Sequence, residues 1–124
     1  MNINQDFLKS FIQVAIIVSI LDFLWIGGFL LDHFKPMIQR IQGEPMVSNP
    51  FSVIMAYLIL ISLITIITAK SDSILEAFII GFLTIAVYES TNFVTLKHWN
   101  LRIAILDSLW GGVLFASVFY ILRT

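Results

Sequence analysis

Of the 124 residues, 59% are hydrophobic and only 12% charged, and the mean hydropathy is +0.96; a water-soluble domain has an apolar share nearer one half. The chain is therefore read against lipid, and its length leaves room for one domain, 1–124, because a helical span needs about 20 residues. A formal net charge of -1 with no basic run argues against nucleic acid as a partner. The absence of cysteine removes disulfides, thiolate metal sites and Cys nucleophiles.

The first span is expected at about 7–31. Its apolar stretch is longer than the core of a typical signal peptide, and no A-x-A-like site follows it, so it reads as a retained helix. Lys9 can snorkel to the interface, but Asp22 lies too deep to do so easily. In the loop from about 32 to 50, Phe34, Met37, Ile38 and Ile41 fall at i, i+3, i+4 and i+7, while Lys35, Gln39 and Arg40 face away. That spacing predicts a short helix lying along the membrane surface and ended by Gly43 and Pro45; an irregular polar loop is the alternative.

The second span, about 50–69, starts with Asn49 as N-cap and Pro50 at the first helical position, and it contains no charged residue. A tight turn then leads to Ser73-x-x-Glu76, a capping box that accounts for Glu76 without any further role. The third span, about 73–96, carries a small-residue stripe of Ala77, Gly81 and Thr84 that invites close approach of another helix. Its second half turns polar at Tyr88-Glu89-Ser90-Thr91-Asn92. The short connection through Lys97 and Trp99 makes spans three and four, the latter about 101–122, antiparallel neighbours. The expected fold is therefore all-α: a polytopic four-transmembrane-helix bundle with a short interfacial helix in its first loop.

Two segments echo each other, Leu21-Asp22-Phe23-Leu24-Trp25-Ile26-Gly27 and Leu106-Asp107-Ser108-Leu109-Trp110-Gly111-Gly112. They run in opposite directions, so they either lie about a pseudo-two-fold axis in the membrane plane or resemble each other by chance, as leucine-rich helices do.

At a rise of about 1.5 Å per residue, Asp22 sits on the order of 13 Å below one membrane face, Glu89 roughly 10 Å and Asp107 about 9 Å below the same face. Three acids from three helices converge on one layer. Each costs about 2.5–3.5 kcal/mol at mid-helix if it faces lipid, so they are expected to face one another or a wet cavity. Trp25 and Trp110 each follow an acid by three residues, and Tyr88, Thr91 and Asn92 surround Glu89, which gives a polar pocket with aromatic walls. Three carboxyls in a low-dielectric pocket cannot all ionise cheaply without a neutralising cation. Candidates are Lys97, His98, Arg102, a bound metal or protons. A structural network of the acids with Lys97 and Arg102 is the competing explanation, and His33 and His98 read more simply as interfacial residues. No nucleophile motif, phosphate-binding glycine loop or H-E-x-x-H spacing occurs, so no catalytic residue, metal site or cofactor is assigned.

The combination of D-x-L-W-x-G around Asp22 and Trp25, Tyr88-Glu89-Ser90-Thr91-Asn92 with the Thr95-Leu96-Lys97-x-Trp99 turn, and Asp107-x-x-Trp110-Gly111 resembles a small four-helix membrane family catalogued as domain of unknown function 2177. The resemblance covers nearly the whole chain. It implies a multi-pass membrane protein and singles out the same acids, Asn92 and tryptophans, and it supplies no activity. The family resembled usually has Asp where this chain has Glu89, which keeps the acid and lengthens its reach.

The leading expectation is an integral membrane protein whose acidic and aromatic pocket binds or transports a small solute, cation or proton. Four helices make a thin pore wall, so transport calls for a homo-oligomer. The alternatives are a small intramembrane enzyme acting on a lipid-soluble substrate, and a structural or assembly subunit. Lys9, Lys70 and Arg123 on one side nearly balance Lys35, Arg40, Lys97 and Arg102 on the other, so the positive-inside rule fixes no orientation.

Overall fold

The computed structural model describes residues 5–123. Its elements are α1 (Gln5–Trp25), a π-helical turn (Ile26–Leu30), α2 (Leu31–Gln42), α3 (Pro50–Lys70), α4 (Ile74–Thr95) and α5 (Leu101–Arg123), with no strand among the described residues. Among the described residues four helical stretches are long and apolar enough to cross a bilayer: Asp6–Gln42, Pro50–Lys70, Ile74–Thr95 and Leu101–Arg123. The outer surface is rich in apolar side chains, among them Phe23, Val87 and Val94, whereas Asp22 and Glu89 are buried. An apolar exterior with the acids turned inward is the arrangement that lipid, rather than water, stabilises.

The expected interfacial helix is not a separate element. The chain passes from α1 through the π turn into α2 without a break, and the amide of Leu31 donates five residues back to the Ile26 carbonyl. This i→i+5 bond carries the helix over Gly27 and Gly28 instead of ending it. At about 1.5 Å per residue the 37-residue helix is roughly 55 Å long, against a hydrocarbon layer of about 30 Å. Its surplus is α2, which carries Asp32, His33, Lys35 and Arg40. The stripe assigned to a lipid surface instead meets protein. Met37 forms a buried cluster with Trp99 and Ala104, flanked by Phe34, Ile38 and Ile41. The Phe34 and Trp99 rings lie 5.6 Å apart, and the Asn100 amide donates to Met37 Sδ at 3.3 Å. The apolar stripe has the same physical need in either setting, and the aromatic turn between α4 and α5 meets it. Gly43 does end the helix, in the left-handed conformation (φ 80°), its amide donating to the Gln39 carbonyl at 2.8 Å.

The caps follow their residue types. Asn49 Oδ1 accepts from the amides of Phe51 (3.0 Å) and Ser52 (3.3 Å), with Pro50 at the first helical position. Ser73 Oγ accepts from the Glu76 amide at 3.1 Å, while the Glu76 carboxylate reaches back to the Asp72 amide at 3.4 Å, one residue before the cap. At the end of the last helix, Arg123 donates to the carbonyls of Thr68 (2.7 Å) and Ser71 (3.1 Å). It thereby satisfies the open end of α3 and ties α5 to it.

Two packing motifs position everything else. The main core joins Val14 and Val18 of α1, Ile61 and Ile64 of α3, and Leu114, Phe115 and Val118 of α5. Beside it, α4 and α5 approach closely along Ala77 and Gly81. A Cβ on Gly81 would overlap the Gly111 carbonyl and the Phe115 side chain, and one on Gly111 would overlap Ile85. Glycine is required at this crossing because backbone meets backbone.

Candidate functional site

Asp22 and Glu89 are buried because they continue these stripes, and Asp107 is half-buried. Asp22 lies one turn beyond Val14 and Val18 on α1; Tyr57 lies one turn before Ile61 on α3; Trp110 lies one turn before Leu114 on α5. On α4, the stripe Ala77, Gly81, Ile85 ends at Glu89, which is 1% exposed. Residues four apart share a helix face, so the packing that buries the core also carries the acids inward.

Within this layer the echoed segments grip each other. Trp110 Nε1 donates to Asp22 Oδ1 at 2.8 Å, and Trp25 Nε1 donates to Asp107 Oδ1 at 3.1 Å. The two indoles stack at 5.1 Å between centroids, 8° from parallel. Each Asp thus takes its donor from the other copy's Trp, the exchange a local two-fold axis produces between antiparallel segments. Asp22 Oδ2 accepts a further bond from the Tyr57 hydroxyl at 3.1 Å.

Glu89 adjoins this pair. Its Oε2 accepts from Trp99 Nε1 at 2.8 Å, while its Oε1 is buried with no donor. The Asp107 side chain lies within hydrogen-bonding reach of Glu89. Two carboxylates are acceptors only, so that contact becomes a hydrogen bond only when one of them carries a proton. Among the described residues the partners of the three acids are neutral indole and phenol donors rather than lysine or arginine. Lys97 and Arg102 are exposed. Among the described residues no group of three His, Asp or Glu side chains is arranged to hold a metal ion.

A cavity of about 180 Å³ lies against this network, lined by Asp22, Trp25, Tyr88, Asp107 and Trp110 together with apolar residues that include Phe34, Ile85 and Leu114. Asn92 is half-buried at the Tyr88 hydroxyl. Tyr88 also meets the Trp99 ring edge-on at 6.5 Å. Thr91 is turned away, its hydroxyl donating to the carbonyls of Val87 (2.9 Å) and Tyr88 (2.8 Å) on its own helix. His98, in the left-handed conformation (φ 67°), shapes the turn that brings Trp99 inward and is itself exposed. His33 Nδ1 lies 3.0 Å from the Phe29 carbonyl, at the end of an aromatic ladder from Trp25 through Phe29.

Tyr57 escaped the sequence reading, because α3 has no charge before Lys70 to draw attention to it and a tyrosine in an apolar run reads as packing. A lone phenol mid-span was the available signal, since a buried hydroxyl needs a partner. Phe34 was read as facing lipid for a similar reason.

No curated protein and no solved structure matches the chain. A family model described as a predicted membrane protein (DUF2177) matches residues 7–121. With four apolar helices among the described residues and a family match over residues 7–121, the chain belongs to that membrane protein family.

Proposed function

We propose that this protein binds a small cation inside the membrane in exchange for a proton, at the cavity bounded by Asp22, Asp107, Trp25 and Trp110. The observation that carries the reading is the Glu89–Asp107 contact. It joins two carboxyls that have no basic partner among the described residues, one of them holding a buried oxygen that lacks a donor there. A proton between them satisfies that oxygen, and a cation in the adjoining cavity lets it leave, because the arriving positive charge replaces the one that the proton takes away. The indoles hold Asp22 and Asp107 in place and line the cavity beside them. In this reading Tyr88, which lines the cavity, orients a polar substituent, with Asn92 at its hydroxyl.

The test is proton release into weakly buffered solution when methylammonium is added to the purified protein in lipid nanodiscs. Wild type is expected to release protons, and Glu89→Gln and Asp107→Asn to release none while retaining their helical circular dichroism. Silence from the wild type, or undiminished release from both variants, overturns the reading.

A further inference from the structure

Glu89 also lines a second space that the cation reading leaves unused. On the outer side of the α4–α5 pair a groove of about 440 Å³ is walled by Phe82, Phe93, Val94, Leu101 and Ile105, with Glu89 among its lining residues. Val94 (81%), Leu101 (54%) and Ile105 (49%) are exposed, so in a bilayer the mouth of this groove meets acyl chains and not water. Glu89 and its neighbour Asp107 thus form the partition between a lipid-facing groove and the inner cavity, which Asp107 lines and Glu89 does not.

We infer that the α4–α5 groove admits a lipophilic amine from the bilayer, its alkyl chain along the apolar walls and its protonated head at Glu89. The inference rests on the cation-binding reading and names the substrate class. Charge selects the head: among the described residues the three carboxyls are bonded to neutral donors alone, and Glu89 Oε1 has no donor, which an ammonium group supplies. The walls select the tail, because an amphiphile reaches this mouth without leaving hydrocarbon, whereas a hydrated ion sheds its water there at high cost.

Dodecylamine, methylammonium and dodecanol distinguish these features when each is added to nanodiscs of phosphatidylcholine. Binding is read from the fluorescence of Trp25, Trp99 and Trp110 against protein-free discs. Dodecylamine is expected to bind and dodecanol not. Ser90→Phe and, independently, Ala86→Phe fill the groove and are expected to weaken dodecylamine by about tenfold or more, with methylammonium unchanged. Glu89→Gln is expected to lose both amines. Dodecylamine binding that neither filled variant weakens, or dodecanol binding of equal strength, overturns the inference. If methylammonium binds and dodecylamine does not, the groove proposal alone falls; if neither binds, the cation reading falls with it.

Discussion

Asp22 is held on both oxygens, by Trp110 at 2.8 Å and Tyr57 at 3.1 Å, and this makes the aromatic donors part of the acid's energetics rather than wall material. A buried acceptor that loses its donor costs about 1–3 kcal/mol, more when it is ionised. Trp110→Phe keeps the ring over Trp25 but removes the N–H, so unfolding in mixed micelles should show a loss of that size. Trp25→Phe removes the matching bond to Asp107. Because the two indoles stack, the double variant should depart from the sum of the single losses, and a double-mutant cycle reads that coupling directly.

Among the elements, the α4–α5 pair sets the position of Glu89. The glycine crossing draws the two backbones together, and the same stripe, one turn past Ile85, then drives Glu89 against α5. Gly81→Ala places a methyl where the Gly111 carbonyl already lies, and backbone cannot rotate aside as a side chain can. A loss of about 1–3 kcal/mol is expected, measured by the same unfolding assay. Gly27→Ala is the control: a Cβ there has open space around it, and stability should change far less. The long α1–α2 helix has a different task. It carries Asp22 in the bilayer and, past the π turn, docks Phe34 and Met37 on the turn that holds Trp99 against Glu89.

At the scale of the molecule, the four spans bring the 43–49 and 96–100 connections to one side and the 71–73 turn to the other. The absence of native cysteine makes this measurable. In sealed vesicles, an impermeant maleimide should label Glu44→Cys and His98→Cys together, with Asp72→Cys labelled only from the opposite face. Equal access at all three positions within a uniformly oriented population contradicts the topology. Basic residues stand three on one side and four on the other, so charge alone does not decide which face is cytoplasmic.

Much of this was legible along the chain, because a hydrocarbon solvent imposes strong local rules. Helices of about 20 apolar residues, Asn49 and Ser73 as caps, Gly43 as a terminator and the inward turn of Asp22, Glu89 and Asp107 all follow from local sequence and the cost of exposing charge to lipid. The tertiary structure decided which groups meet. Periodicity showed that Phe34, Met37 and Ile41 share a face but not that the face covers Trp99. Nor did it reveal that the first helix runs on through a π turn, that Tyr57 reaches Asp22, or that each echoed Asp bonds the other copy's Trp. Spacing along a helix fixes the direction a side chain takes, whereas its partner depends on how other helices cross it, and those crossings are set by packing between residues as much as 88 positions apart.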